Sequence, residues 1–277
     1  MDKLNFCVDA EKCIQCDACV KDCPFGIIHR KGAAPEADES VVSNCFGCQH
    51  CLAVCPAGAI SVFGLKPENS LPLPDGAILS YKQMKMLVRG RRSVRHFLDE
   101  DVSPALIDEL LADLAHAPTG RNALDLTFSV VADRKAKGAL LEKIIKAIEE
   151  KQKSGEVLRM RNYVASAVKA YRSGGKDMLF RGAPHLLFVS HGENSTCGQE
   201  DVVLTLAYFE LLAQSAGLGT TWCGIIKMTA DAIPEIYEAL GFAPGTYFYA
   251  MMFGKPAIRY ARTVQRDTAA RIRRIIS

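Results

Sequence analysis

The stretch CIQCDACVKDCP at residues 13–24 returns as CFGCQHCLAVCP at residues 45–56. Each copy places three cysteines two residues apart and a fourth three residues further on, directly before a proline. A short apolar stretch follows each copy, at residues 25–28 and 59–63, and predicts a short strand there. The repeat therefore predicts two halves of one pseudo-symmetric unit near the N-terminus.

The spacing of these eight cysteines suits iron–sulfur chemistry. A four-iron, four-sulfur cluster needs four soft thiolate ligands, and two-residue gaps let successive sulfurs face the same cluster. Structural zinc and disulfides are the competing interpretations. Zinc sites usually combine two CxxC pairs across a longer loop, and neither copy has a histidine in a ligand position. We therefore predict two [4Fe-4S] clusters.

The motif also predicts which cysteines share a cluster, because in two-cluster runs of this kind the fourth cysteine binds the other cluster. One cluster would be held by Cys13, Cys16, Cys19 and Cys55, and the second by Cys45, Cys48, Cys51 and Cys23. Cys7 lies outside the pattern and is predicted to be a buried apolar residue. His50 is predicted to be a surface side chain or to lie just behind the ligands.

Composition divides the chain near the end of the repeat. Nine of the eleven cysteines lie within the first 55 residues. Residues 1–64 contain five Lys/Arg against eight Asp/Glu, which leaves +6 on the rest to give the total of +3. A total this small argues against nucleic acid as a partner. We predict a 2[4Fe-4S] ferredoxin-like domain at residues 1–64, an extended proline-containing linker at 65–80 and a second domain at 81–277.

The chain is expected to be soluble and cytoplasmic, with no membrane partner. Its N-terminus is polar, and no apolar stretch approaches the roughly 20 residues needed to cross a bilayer. An odd number of cysteines without an export signal also argues against a disulfide framework, because cytosolic thiols stay reduced.

The second domain is predicted to be a mixture of helices and strands. Ser103-Pro104 is a good helix start, and that helix should stop near Pro118. Strands are predicted at residues 126–132, 186–190 and 246–253, and helices at 139–151 and 233–240. Residues 201–216 are apolar nearly all round and predict a buried central helix.

Three short motifs follow one another in the second domain. They are Arg-Arg-Ser-Val-Arg at residues 91–95, Ala-Pro-Thr-Gly-Arg-Asn at 117–122 and Gly-Leu-Gly-Thr-Thr-Trp-Cys-Gly at 217–224. Guanidinium groups and a serine hydroxyl suit a phosphate site, and a solvated basic turn is the competing interpretation of the first motif. In this order, behind a ferredoxin-like module, the motifs resemble those of the ferredoxin-fused, FMN-dependent nitroreductases. The resemblance covers about residues 82–277.

The resemblance implies an α+β fold that binds FMN at the interface of a homodimer. By position, the flavin phosphate and ribityl chain would contact Arg91, Arg92, Ser93, Arg95 and Arg262. The flavin ring system would contact Asn122, Thr221, Trp222, Cys223 and Gly224. Many members follow the asparagine with Gln-Pro-Trp, whereas residues 123–125 here are Ala-Leu-Asp. No residue of the sequence is identified as catalytic.

The resemblance also implies an oxidoreductase. A low-potential donor such as ferredoxin, flavodoxin or NAD(P)H would reduce the clusters, and electrons would reach a nitroaromatic, quinone or similar small acceptor through FMN. A reductive dehalogenase or enone reductase on the same scaffold, and a non-enzymatic electron carrier or redox sensor, are the alternatives. Residues 217–219 follow a helix instead of a strand, so no dedicated dinucleotide-binding domain is predicted.

Overall fold

A computed structural model describes residues 4–154 and 161–276, and the chain divides into two compact units. The first unit comprises the chain up to Leu79 together with Arg121–Ala123, and the second comprises Ser80–Gly120 and the chain from Leu124 onward. Most of the predicted linker therefore groups with the first unit. There, Pro67–Asn69 form a 3-10 turn, and Lys12 Nζ lies 3.1 Å from Glu68 Oε1.

The first unit repeats its local structure as its sequence repeats. Two pairs of antiparallel strands are formed, β1 (Cys7–Val8) with β4 (Ile60–Ser61) and β2 (Ile28–Lys31) with β3 (Ala34–Ala37). The short helices α1 (Ala18–Asp22) and α2 (His50–Ala53) occupy equivalent positions in the two copies. The strand predicted at 25–28 is shifted, because β2 begins only at Ile28, and the strand predicted at 59–63 is shorter than expected, because β4 contains two residues.

The expectation that Cys7 is buried is wrong. Cys7 is exposed and its neighbour Val8 is partly buried against the core of the first unit. Successive side chains of a strand point to opposite faces, so a two-residue strand that turns Val8 inward turns Cys7 outward. His50 is exposed as predicted, with its Nδ1 lying 3.3 Å from Asp22 Oδ2.

The second unit is built on one antiparallel sheet with strand order β5-β6-β8-β7. Its strands are β5 (Leu126–Val131), β6 (His185–His191), β7 (Gly219–Trp222) and β8 (Phe248–Gly254). The predictions for β5, β6 and β8 are confirmed. β7 was not predicted, because four residues between glycine-rich turns carry too little periodicity to be recognised.

Seven helices surround this sheet in the part of the chain that the structure describes. They are α3 (Tyr81–Gly90), α4 (Pro104–Asp113), α5 (Arg134–Lys153), α6 (Arg161–Gly174), α7 (Gly198–Ser215), α8 (Gly224–Ala232) and α9 (Glu235–Ala239). Ser103 begins α4 as predicted, since its side chain accepts a hydrogen bond from Leu106 N. None of the helices in residues 4–154 and 161–276 is both long and apolar enough to span a membrane.

The sheet separates two hydrophobic cores, and β6 contributes to both. Leu186 and Phe188 belong to one buried cluster, whereas Leu187 and Val189 belong to the other. This alternation follows from the two-residue period of a strand. A strand covered on both faces reads as a continuous apolar run, which is why the sequence indicated β6 clearly.

The prediction that residues 201–216 form a helix buried on all sides is wrong for one face of α7. Val202, Leu206 and Phe209 are buried against the sheet. Val203, Leu204 and Tyr208 are 39%, 45% and 44% exposed on the other side of the helix. The helix therefore presents an apolar stripe that the described residues leave exposed.

His185, at the start of β6, is a fully buried polar residue of the second unit. Its Nε2 accepts a hydrogen bond from Val102 N at 2.8 Å, and its Nδ1 lies 3.2 Å from Val131 O. Those two roles require a neutral ring that donates from Nδ1. Burial lowers the pKa of His185 below the usual 6.5. This effect is larger than that of the nearby Asp101 carboxylate, which raises the pKa.

We expect acid to destabilise the second unit through His185. Because the folded pKa is lowered, the stability that His185 contributes is complete above about pH 6.5 and is lost as the pH falls toward the folded pKa. The slope reaches at most about 1.4 kcal/mol per pH unit for one proton. Denaturant unfolding followed by Trp222 fluorescence, between about pH 7.5 and about pH 5.5, measures the effect.

A His185→Gln variant keeps an acceptor for Val102 but does not titrate, so its stability should fall less over the same pH range. A His96→Gln variant, altered at an exposed histidine, is the matched control and should behave like the parent protein. An equal fall in parent and His185→Gln would contradict the role assigned to the buried ring.

Candidate functional site

One cavity of the first unit is lined by four of the eight predicted ligands. These are Cys13, Cys16, Cys19 and Cys55, three from the first copy of the repeat and one from the second. The space at this cavity that protein atoms do not fill is about 330 Å³ when its opening to solvent is included. Val8, Ile60 and Arg30 complete its wall.

A second cavity is lined by the other four predicted ligands. These are Cys45, Cys48, Cys51 and Cys23, three from the second copy and one from the first. The space at this cavity that protein atoms do not fill is about 420 Å³ when its opening to solvent is included. Aromatic rings form part of its wall, and the ring centroids of Phe25 and Phe46 lie 4.3 Å apart.

The two cavities divide the cysteines in the crossed pattern that the motif predicts. In the described part of the chain, no three His, Cys, Asp or Glu side chains converge as they would around a single metal ion. The cysteines instead stand around two cavities. This arrangement suits a group that takes one thiolate at each of several irons. The assignment of individual ligands stays a prediction.

A left-handed backbone at matching positions turns the cysteines of each copy inward. Gln15 and Asp17 have φ angles of 57° and 58°, and Gly47 and Gln49 have 65° and 59°. Each of these residues lies between two successive cysteines. A left-handed residue other than glycine costs roughly 1–2 kcal/mol, so such positions persist only where the surrounding structure requires them. The turns let the three cysteines of a copy line one cavity.

Burial disfavours the charged form of two of these thiols. Burial raises the pKa of Cys51 to about 11, and the neighbouring thiols of its cavity add to the effect. Burial raises the pKa of Cys19 in the other cavity for the same reason. Iron stabilises the thiolate form of its ligands, which offsets the cost of burying that charge. Ala59 N lies 3.3 Å from Cys55 Sγ, and N–H donors to cluster sulfurs tune the reduction potential.

In the second unit, Arg91 is anchored by a buried carboxylate. Arg91 Nη1 donates to Glu210 Oε1 at 3.0 Å, and the two side chains are 24% and 10% exposed. Thr220 Oγ1 lies 3.5 Å from the same carboxylate oxygen. Ser93 forms a β-bridge with Thr220, so these two residues project to the same side. The structure therefore brings Arg91 and Ser93 together beside β7, as a phosphate site requires.

Arg92 and Arg95 are placed differently from Arg91. The Arg92 guanidinium donates to the carbonyl oxygens of Arg89 and Arg91 at the end of α3. A cation in this position satisfies the free carbonyls of a helix C-terminus. Arg92 Nε is buried without a hydrogen-bond partner among the described residues. Arg95 donates to Ser93 O at 3.3 Å and is exposed, so its guanidinium is accessible to a ligand.

Thr221 and Cys223 use their polar groups inside the protein. The Thr221 hydroxyl donates to the carbonyl oxygen of Val94, which ties β7 to residues 91–95. Cys223 is buried in a hydrophobic core, and this burial raises the pKa of its thiol to about 12. Its N–H donates to Ala250 O at 2.8 Å. Their predicted contacts with the flavin stay predictions.

Trp222 and Gly224 both lie against Tyr249, a residue that the sequence did not indicate. The Trp222 ring meets the Tyr249 ring edge to face, with centroids 5.6 Å apart. α8 begins at Gly224, where a Cβ atom would lie only 2.5 Å from Tyr249 Oη. Only glycine fits this approach without a shift. Burial raises the pKa of Tyr249, so its phenol stays protonated and can donate a hydrogen bond.

Asn122 and Arg262 are the remaining two predicted flavin contacts. Asn122 belongs to the first unit, where its Nδ2 donates to Phe46 O at 3.0 Å. The neighbouring Arg121 guanidinium lies 4.8 Å from the Phe46 ring centroid. Arg262 is exposed in the segment that follows β8, and it makes no ion pair within residues 4–154 and 161–276. Flavin binding by either residue stays a prediction.

Glu210 is the main residue near the predicted phosphate site that the sequence analysis missed. It had a recognisable signal, because a carboxylate within the mostly apolar stretch that follows Asp201 must find a cation or a donor when it is buried. Tyr249 had none, because an aromatic residue in a strand is ordinary.

Two family profiles match the chain. Residues 88–255 match the nitroreductase family, and residues 12–60 match the 4Fe-4S dicluster domain. Among curated proteins, human iodotyrosine deiodinase 1 is 30% identical over 144 residues, which cover 48% of this chain and 48% of that protein. The match thus spans about half the length of the curated relative.

Solved structures share the fold at low sequence identity. A nitroreductase with bound FMN from Bacteroides fragilis has a TM-score of 0.54 and 18% identity, covering 69% of this chain and 99% of that one. An FMN-dependent nitroreductase from Clostridium difficile has a TM-score of 0.51 and 22% identity, covering 71% and 100%. A nitroreductase with bound FMN from Desulfitobacterium hafniense has a TM-score of 0.51 and 19% identity, covering 70% and 100%.

Proposed function

This chain belongs to the nitroreductase family and carries a 4Fe-4S dicluster ferredoxin domain at its N-terminus, and from that premise we propose that it is an FMN-dependent oxidoreductase. Electrons from a low-potential donor enter through two [4Fe-4S] clusters, and a nitroaromatic, quinone or similar small organic molecule accepts them at the flavin. The donor is a ferredoxin, a flavodoxin or NAD(P)H.

The observation that carries this proposal is the crossed grouping of eight cysteines around two cavities in a chain whose second unit has the nitroreductase fold. Two clusters in one small unit provide a path for single electrons. FMN, when bound, accepts electrons singly and delivers them as a pair, which joins one-electron donors to two-electron organic reduction. Solved nitroreductases of the same fold contain FMN.

The residues of the second unit have distinct roles in this proposal. Arg91, Ser93 and Arg95 hold the flavin phosphate through charge-assisted hydrogen bonds. The Trp222 ring and the backbone at Gly224 support the flavin ring. The protonated phenol of Tyr249 is a hydrogen-bond donor beside that support.

We propose that two copies of the chain form the functional assembly. Apolar side chains stand exposed on α7, on α3 and in the segment after β8, and they include Leu204, Tyr208, Tyr81, Val88 and Ile272. A stripe of exposed apolar side chains such as the one on α7 is typical of protein interfaces. A homodimer would bury the α7 stripe, in accord with the expectation from the family.

The proposal is tested by anaerobic reduction with each donor in turn, following the absorbance of the clusters and of the flavin separately. We expect the clusters to be reduced first, and a nitroaromatic or quinone to reoxidise the protein rapidly. Slow reoxidation by every small acceptor, with fast exchange to a protein partner, would favour an electron carrier or redox sensor. Protein that binds neither iron nor flavin after reconstitution would refute the proposal.

Reductive dehalogenation is the second candidate, favoured by the partial match to iodotyrosine deiodinase 1. The same assay separates the two candidates. Faster reoxidation by halogenated phenols or enones than by nitroaromatics and quinones would identify the alternative.

A further inference from the structure

Glu210 is a buried carboxylate on an otherwise apolar stretch of α7. Its neighbours Phe209 and Ala213 are buried in the hydrophobic core, and the Glu210 side chain is only 10% exposed. Taking a carboxylate out of water is unfavourable unless a cation and hydrogen-bond donors compensate it. Such a residue on a core helix therefore requires an explanation from its contacts.

Those contacts all lie in the predicted phosphate site. Arg91 Nη1 donates to Glu210 Oε1 at 3.0 Å, and Thr220 Oγ1 lies 3.5 Å from the same oxygen. Thr220 is in turn the bridge partner of Ser93. One carboxylate therefore connects the central helix, the edge strand β7 and the cationic segment.

The Arg91 guanidinium retains donors after it binds Glu210. A guanidinium has five N–H donors in a rigid fork, and the bond to Glu210 uses one of them. Fixing one edge of the fork removes most of the rotational freedom of a long side chain before the ligand arrives. The conformational entropy of the Arg91 side chain is then already lost when the protein folds and does not weaken ligand binding.

We propose that Glu210 is a positioning residue that orients Arg91 toward the phosphate of FMN. The inference rests on the proposed function, because that function places the flavin phosphate at Arg91 and Ser93. Glu210 acts through Arg91 and does not touch the flavin itself.

The direction in which FMN affinity changes when Glu210 is replaced separates this proposal from a purely electrostatic effect. A carboxylate beside a phosphate site repels the phosphate, so removing its charge would by itself strengthen FMN binding. Loss of the orientation of Arg91 would weaken binding. Replacing Glu210 with glutamine keeps the shape and removes the charge, so the direction of the change reveals which effect is larger.

The experiment measures the Kd of FMN and of riboflavin for flavin-free protein by flavin fluorescence. In Glu210→Gln we expect the Kd of FMN to rise about tenfold, on the scale of one weakened charge-assisted bond, and that of riboflavin to change less than about twofold. Riboflavin lacks the phosphate, so a general structural defect would weaken both ligands equally. Glu200→Gln, on an exposed position of the same helix, is the matched control and should leave both values unchanged.

Three results would overturn the inference: FMN binding that is unchanged or tighter in Glu210→Gln, an equal loss of both ligands, or the same loss in a background that already carries Arg91→Met. Failure of the parent protein to bind FMN would instead contradict the proposed function. If Glu210→Gln does not fold, the inference is tested by comparing Arg91→Met with Arg91→Met/Glu210→Leu. The double variant should fold, since a whole buried ion pair can be replaced by apolar residues. The double variant is expected to bind FMN as tightly as Arg91→Met or more tightly, because there is no arginine left to orient and the charge that repels the phosphate is gone. A further loss in the double variant would overturn the inference.

Discussion

Cys23→Ser is expected to lose about half of the bound iron, because one whole [4Fe-4S] cluster loses its fourth thiolate. The flavin content should stay unchanged, since the substitution lies in the ferredoxin domain. Iron and flavin analysis of anaerobically purified protein measures both quantities. Cys7→Ser is the matched control, because Cys7 lies in the same unit but in neither of the two cysteine-lined cavities. Iron equal to that of the parent in Cys23→Ser would contradict the ligand assignment.

Pairs of substitutions test the crossed pattern directly. Cys23 and Cys48 line the same cavity, whereas Cys16 lines the other one. Cys23→Ser/Cys48→Ser should therefore keep about half of the iron, and Cys23→Ser/Cys16→Ser should lose nearly all of it. If each copy of the repeat held its own cluster, the two results would be exchanged.

Replacing both Arg91 and Arg95 with alanine should weaken FMN binding by about a hundredfold or more, because each charge-assisted bond to a phosphate contributes roughly 1.5–3 kcal/mol. Both clusters should remain. The flavin-to-iron ratio of the purified protein, and titration of flavin-free protein with FMN, measure the effect. Arg271→Ala/Arg273→Ala removes the same charge from exposed positions near the C-terminus and should bind FMN normally. Unchanged flavin content in the Arg91/Arg95 variant would mean that the phosphate lies elsewhere.

The parts of the fold that sequence predicted best are those set by short-range patterns. A buried strand such as β6 is a run of apolar residues, and α4 begins at a capping serine followed by proline. Both signals depend on neighbours a few residues apart in the chain. The strand β7 was missed because its four residues join the sheet through pairing with β8, which is a long-range contact.

The same distinction explains the errors in burial. Apolar character led to the predictions that Cys7 is buried and that residues 201–216, which are apolar nearly all round, form a buried helix. Cys7 and the residues of α7 were identified correctly as apolar, but burial depends on what packs against them. A two-residue strand turns Cys7 outward, and one stripe of α7 remains available to another molecule.

By itself, the sequence determined the cluster chemistry and the nitroreductase relationship. Cysteine spacing acts over twelve residues in each copy, so the thiols of one run must lie close together in any fold. The cavities agree with the motif that the fourth cysteine of each run lies with the opposite copy, and only the tertiary structure decided that Glu210 holds Arg91. That contact joins residues 119 positions apart in the chain, and its geometry is set by how strands and helices pack, which no local pattern records.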